Sequence, residues 1–281
     1  MCDTCGCNIT PGNKHLVQGK GKLSLTRDGK AAVDVLQGLL TENDRIAQHN
    51  RDHFNKHGVL AINLMSSPGA GKTALLEATI EELGNDFNIA VIEGDLETEN
   101  DAQRIRAKGV PAIQIATGTA CHLDAHMVHD ALHQLSLKEL DIVFIENVGN
   151  LVCPASFDLG HHRNVTLLSV TEGDDKPAKY PVMFRAADLM LLTKTDLLKV
   201  LDDFDCGKAE QYLRQLANPA QVIEVSSKSR QGFEQWLGWL EKEVITLQKK
   251  LKDGAVVLRP KVQPEGELLH QHHHGDHHVH I

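Results

Sequence analysis

One eight-residue stretch constrains this chain most: Ser66-Ser67-Pro68-Gly69-Ala70-Gly71-Lys72-Thr73. It follows an apolar run, Val59 to Met65, and precedes a helical pattern, Ala74 to Leu83. Strand, tight glycine loop and helix, in that order, are the setting of a phosphate-binding P-loop. Gly69, Ala70, Gly71, Lys72, Thr73 and Ala74 would aim backbone N–H groups at a phosphate chain, and the helix N-terminus adds partial positive charge. Lys72 would reach the β- and γ-phosphates, and the Thr73 hydroxyl would hold Mg2+. The first motif position is Ser66 rather than glycine. The plainer reading, a simple strand-to-helix turn, leaves this context unexplained.

The 281 residues suffice for a large core, and one main domain with extensions fits the length better than two full domains. A formal net charge of −9, with 24% charged residues, argues against broad binding to nucleic acid or an anionic membrane. No apolar run approaches the roughly 20 residues of a membrane span. Neither a secretory nor an Arg-rich transit pattern opens the chain, so a soluble cytoplasmic protein is expected.

Residues 1–30 hold a cysteine cluster and a Gly/Lys-rich stretch, and read as a flexible metal-binding arm. From 31 to 57 the pattern is helical, with Val33, Leu36, Leu40, Ala47 and Phe54 roughly on one face. The domain proper is expected over 58–251. Strand-like runs recur there at Leu60–Met65, Ile89–Glu93, Ala112–Ala116, Ile142–Glu146, Val165–Val170, Leu189–Thr193 and Val222–Ser226. Helical patterns lie between most of them, which predicts an α/β fold: a mostly parallel sheet with helices on both faces. A long amphipathic helix, about 231–251, closes the domain, with Trp236 and Trp239 read as packing residues. Residues 252–281 have too little apolar surface to fold alone and are expected to be disordered.

Three further segments sit where a P-loop GTPase needs them. Asp196, in Thr193-Lys194-Thr195-Asp196, can accept two hydrogen bonds from the guanine edge, which adenine does not offer. The Lys194 stem would lie over the base. Thr193 stands where Asn is usual; it keeps one hydroxyl for hydrogen bonding and loses the amide's double role. Ser226 and Lys228, one βα unit later, form a second base-contacting loop. Glu146, at the end of its strand, can order the Mg2+ shell, and Gly149 can offer its N–H to the γ-phosphate and let the loop move. Asp95 is a second acid for Mg2+. Each acid could instead be a solvated loop carboxylate.

Six cysteines are unevenly placed. Cys2, Cys5 and Cys7 offer three thiolates to one ion, suiting square-planar Ni2+ or tetrahedral Zn2+, against the alternatives of a disulfide or incidental thiols. Cys121-His122 is expected to begin a helical pattern after Gly118-Thr119. With Cys153 it could form a two-sulfur, one-nitrogen site near the C-terminal edge of the sheet. The tail residues His270, His272, His273, His274, His277, His278 and His280 could serve as a metal reservoir. Their interruptions do not resemble a simple tag.

Together these residues resemble the HypB family, GTPases that help insert nickel into [NiFe]-hydrogenase. The resemblance runs from about Val59 to Leu240. It rests on Ser66–Thr73, Glu93-Gly94-Asp95, Cys121–Asp124, Glu146–Pro154, Ser169–Pro177 and Thr193–Asp196. It implies a P-loop NTPase of the signal-recognition-particle/MinD-like class, binding GTP or GDP with Mg2+. It implies nickel at Cys2, Cys5 and Cys7, and nickel or zinc at Cys121, His122 and Cys153. It further implies a GTP-promoted homodimer and, as partners, a HypA-type zinc accessory protein, the hydrogenase large subunit and a nickel-storage chaperone. Two departures are visible: Thr193 replaces Asn, and the histidine-rich stretch is C-terminal. The rival readings are a GTPase serving urease or a cobalamin enzyme, and a metal-storage protein whose nucleotide fold is only scaffold.

Overall fold

Seven apolar segments pair side by side because their backbone groups, once buried, must find partners in one another. The computed structural model describes residues 30–95, 100–118, 120–255 and 257, with side chains from residue 40 onward. The Cys2–Cys7 cluster and the histidine tail lie outside the described residues.

In chain order the elements begin with α1 (Lys30–His57), β1 (Leu60–Met65), α2 (Lys72–Leu83), β2 (Ile89–Asp95) and α3 (Asn100–Arg106). They continue with β3 (Ala112–Ala116), α4 (Ala125–Leu132), β4 (Ile142–Glu146), β5 (Arg163–Ser169), α5 (Lys176–Lys179) and α6 (Pro181–Arg185). The last are β6 (Leu189–Thr193), α7 (Cys206–Gln215), β7 (Gln221–Glu224) and α8 (Phe233–Lys252). The strands form one seven-stranded sheet of order β3-β2-β4-β1-β5-β6-β7. Every pairing in it is parallel. This is the expected P-loop NTPase architecture.

Alternate residues of each strand face opposite layers. Leu60, Ile62 and Leu64 of β1 pack with Leu75 and Leu76 of α2 and with Trp236 and Leu240 of α8. Val59 and Ala61 join Ala90, Ile92, Val143 and Ile145 against Phe54 of α1 and Val128 and Leu132 of α4. Cover on both faces explains why the strands read as nearly continuous apolar runs. Trp236 is fully buried, with Trp239 stacked on it at 5.7 Å, and its Nε1–H donates to Thr79 Oγ1 at 2.9 Å. Both tryptophans are packing residues, as expected.

Helix α1 is locked down by buried polar groups as well as by Phe54. Arg51 pairs with Asp158 at 2.5 Å and also donates to the His161 carbonyl. Gly160, at φ 90°, lies so close to α1 that a Cβ there would stand 2.5 Å from the Ala47 carbonyl oxygen.

Some boundaries differ from the sequence reading. Strand β5 starts two residues early, because pairing with Ile62 holds Arg163 in register. Strand β7 ends at Glu224, and Ser226 instead opens a turn through its N–H bond to the Gln231 carbonyl. The largest correction is at Cys121-His122, which does not begin a helix. Helix α4 starts at Ala125, because the Asp124 carboxylate accepts from the Met127 N–H and caps it. Cys121 and His122 thereby remain on a loop.

Candidate nucleotide pocket and adjoining metal site

The glycine loop turns between β1 and α2 through two left-handed residues, Gly69 at φ 75° and Gly71 at φ 99°. Lys72 folds back so that its Nζ donates to Ser66 Oγ at 3.0 Å. The hydroxyl at the unusual first position is therefore a partner for this ammonium. A cavity of about 380 Å³ opens above this loop, lined by Gly69, Gly71, Lys72, Thr73, Ala74, Asp95, Glu146 and Gly149. All of these were sequence candidates. The same cavity adds Glu93, Asp101 and Arg104, which the sequence reading had not selected.

Glu93 and Glu146 are register partners on the neighbouring strands β2 and β4. Both are buried, and Glu93 Oε2 and Glu146 Oε2 have no hydrogen-bond partner among the described residues. Burial first, and then the Glu146 charge, push Glu93 up to about 9. Burial likewise raises Glu146 to about 7, against the pull of Lys72 and of a 3.0 Å hydrogen bond from Thr73 Oγ1. Two buried carboxylates, two orphan oxygens and an adjacent hydroxyl are a donor set that fits a hard, oxygen-loving divalent cation such as Mg2+. One signal for Glu93 was present in the sequence: a carboxylate inside the apolar run Ile89–Ile92 is costly to bury without purpose.

A second cavity, of about 440 Å³, shares Gly71 and Ala74 with the first and is lined by Ala70, Thr193, Lys194, Asp196, Ser227 and Lys228. Lys194 lies across the glycine loop, with Nζ donating to the Gly69 carbonyl at 2.7 Å. Thr193 Oγ1 donates to the Ala70 carbonyl at 2.7 Å, so the residue standing in for Asn still ties this strand end to the loop. Ser226 is buried and reaches the cavity indirectly, its hydroxyl donating to Asp196 Oδ1 at 2.7 Å. The two cavities thus lie on either side of Gly71 and Ala74.

The segment after β4 links this pocket to a sulfur–nitrogen cluster. Gly149 abuts Pro68, and a Cβ there would stand 2.8 Å from the proline Cα and N. Only glycine fits against the loop without movement. Asn147 is buried and accepts from the Leu123 N–H at 3.1 Å, while its amide donates to Asn63 Oδ1 on β1 at 3.1 Å. Asn150 Nδ2 donates to the Cys121 carbonyl at 3.4 Å. Gly94 makes room for Leu123, which a Cβ would approach to 2.7 Å.

Cys121, His122 and Cys153 converge, each offering one ligand atom within 4.8 Å of the others. The Cys121 and Cys153 sulfurs are 3.2 Å apart and in no disulfide. His122 is buried and stacked on Phe157 at 3.9 Å, and burial lowers its pKa, which keeps a lone pair available for a metal. Two sulfurs and one imidazole suit a borderline ion such as Ni2+ or Zn2+. Residues 121, 122 and 153, grouped as one possible site in the sequence, thus lie together in space.

Comparisons with known proteins give the family of the chain. Residues 60–224 match the model of the CobW/HypB/UreG nucleotide-binding domain. Hydrogenase maturation factor HypB of Azotobacter vinelandii is 56% identical over 236 residues, covering 82% of this chain and 76% of that protein. HypB of Escherichia coli K12 is 54% identical over 209 residues, covering 74% and 72%. The crystal structure of HypB from Helicobacter pylori in complex with nickel superposes with TM-score 0.70 at 42% identity, covering 73% of this chain and 96% of that one. HypB from Archaeoglobus fulgidus gives TM-score 0.68 at 41% identity, covering 73% and 100%. On identity and coverage, the chain belongs to the HypB family of hydrogenase maturation factors.

Proposed function

We propose that this chain is a GTP-hydrolysing nickel metallochaperone that assists nickel insertion into the large subunit of [NiFe]-hydrogenase. One observation carries the reading: the segment from Glu146 to Cys153 lines the cavity above the glycine loop at one end and supplies one sulfur of the Cys121–His122–Cys153 cluster at the other. A change at the γ-phosphate felt by Gly149 can therefore reshape the metal site four residues later.

In this reading the glycine loop and Lys72 hold the phosphates, and Asp196, oriented by Ser226, reads guanine, with Lys228 beside it. Thr73, Glu146 and Asp95, with Glu93 behind them, would hold Mg2+, which supplies charge to the transferring phosphoryl group. Nickel is the cargo. It is held at Cys121, His122 and Cys153, where zinc can compete, and at Cys2, Cys5 and Cys7 of the arm. The histidine tail stores it. GTP promotes a homodimer, and Val152, 57% exposed beside Cys153, is an apolar residue available to such an interface. The partners are a HypA-type accessory protein, the hydrogenase large subunit and a nickel-storage chaperone, in the cytoplasm. No helix among the described residues is long and apolar enough to cross a membrane.

The test is hydrogenase activity in cells lacking this protein, complemented by the wild type or by Lys72→Ala, with and without added nickel. Rescue by the wild type alone, with nickel partly relieving the defect, is expected. Rescue by both would remove nucleotide hydrolysis from the role. A relative from Helicobacter hepaticus, 44% identical, carries the name hydrogenase/urease maturation factor, which favours urease as a second client. Urease activity in the same cells, where they make that enzyme, would reveal it.

A further inference from the structure

Helices α1 and α4 pack together and bring histidines one turn apart: His49 and His53 on α1, and His129 on α4 with His133 at its C-cap. His49, His53 and His129 each offer a ring nitrogen, and the three atoms lie within 4.8 Å of one another. The His133 Nε2 lies 3.1 Å from the His129 Nε2, so a fourth donor adjoins the set.

The cluster is backed by a positioning residue. Asn50 is fully buried, and its amide nitrogen donates to the carbonyls of Ala125 at 2.8 Å and Leu159 at 3.2 Å. That fixes its carbonyl oxygen toward the His129 Nδ1, 2.9 Å away. A carbonyl only accepts, so the His129 Nδ1 carries the hydrogen and Nε2 keeps the lone pair. Metal-binding histidines are commonly oriented by such a contact on the far nitrogen. Burial, with the neighbouring imidazoles, also lowers the pKa of His53 and His129, which favours neutral rings.

We propose that His49, His53 and His129, with His133 beside them, bind a borderline divalent ion of the Ni2+ and Zn2+ class across the α1–α4 junction. This site shares no residue with Cys121, His122 and Cys153. Its donors are imidazoles without thiolate, a chemistry suited to nickel, zinc or copper and not to Mg2+. An ion here bridges two helices otherwise joined by packing, by Asn50 and by the Ala125 N–H bond to Asn43 Oδ1, so it also stabilises the docking of α1. Helix α4 follows directly on the Cys121–Asp124 loop, which puts His129 in its second turn, seven residues beyond His122 in the chain.

The test uses the full chain, treated with diethyl pyrocarbonate with and without Zn2+ or Ni2+ and mapped by peptide mass spectrometry. Metal is expected to slow modification of His49, His53 and His129 by roughly tenfold, because coordination occupies the reacting lone pair. His53→Gln should remove that protection at His49 and His129 while circular dichroism shows an unchanged fold. A Cys121→Ser, Cys153→Ser double variant should keep it. Unchanged rates in metal-saturated wild type overturn the site, as does protection that persists in His53→Gln. Protection lost in the cysteine variant assigns the effect to the other cluster and overturns the site too. Should His53→Gln unfold, His49→Gln, at an exposed position, reads the same loss at His53 and His129.

Discussion

The phosphate cavity and the Cys121–His122–Cys153 cluster share the segment after β4, yet the two ends are held differently. At the phosphate end the glycine loop is tied from three sides, by Ser66, Thr193 and Lys194, and Gly149 lies directly against Pro68. At the sulfur end the ligands sit on loops joined by side-chain amides, Asn147 to Leu123 and Asn150 to Cys121. One end is a preorganised cradle. The other is a set of ligands whose spacing depends on where a loop rests. A nucleotide that moves Gly149 should thus disturb the metal site far more readily than the metal site can distort the cradle, although the binding free energies must balance by linkage.

The largest effect should break the cradle alone. Lys72→Ala is expected to lower GTP hydrolysis by roughly 10²–10³-fold, the scale of removing a preorganised charge from a phosphoryl-transfer transition state. Nickel binding to the variant, followed by equilibrium dialysis, should persist. Loss of both would mean that the two ends are not separately built.

Asp196→Asn comes next. Replacing a carboxylate that accepts two guanine donors should weaken GTP binding by about 1.5–3 kcal/mol, roughly 10- to 150-fold, and narrow the preference over ATP. Nucleotide titration checks this, and an unchanged GTP affinity would take Asp196 out of the base site.

A smaller effect tests the link itself. In protein with Cys2, Cys5 and Cys7 replaced by Ala, Ni2+ affinity at the core cluster should differ about five- to tenfold between GDP and a non-hydrolysable GTP analogue, the low end of ordinary coupling. Tail-bound metal is subtracted using the same protein with Cys153→Ala. Equal affinities in the two states would separate the cradle from the cluster.

A last effect, on stability rather than on activity, lies in the scaffold under both ends. His162 is buried, with Nδ1 accepting from the Ala61 N–H and Nε2–H donating to Asn55 Oδ1, each at 3.0 Å. Burial, with Arg51 nearby, lowers its pKa from 6.5 to about 3. Between those values the unfolded chain binds the extra proton, so stability from this site is complete above pH 6.5 and declines as pH falls toward 3. Melting temperatures over that range should fall less steeply in His162→Gln than in the wild type.

The glycine loop, Lys72, Thr73 and the Thr193–Asp196 segment were legible in the sequence because each is a contiguous stretch whose chemistry its own spacing dictates. The strands were legible for a similar reason: burial on both faces demands unbroken apolar runs. Cys121, His122 and Cys153 could be named, but the reading that put Cys121 at a helix start failed, since the Asp124 cap outweighed apolar periodicity. Tertiary structure alone decided which distant groups meet. The order β2-β4-β1-β5 brings Glu93 beside Glu146 and runs an amide chain from Asn164 through Asn63 to Asn147. The packing of α1 on α4 gathers His49, His53 and His129, which in the sequence look like scattered surface imidazoles. Local patterns report the few residues that one turn or one strand can span. Contacts between residues 30 to 110 positions apart depend on sheet order and helix docking, which the whole core selects by burying its apolar faces together.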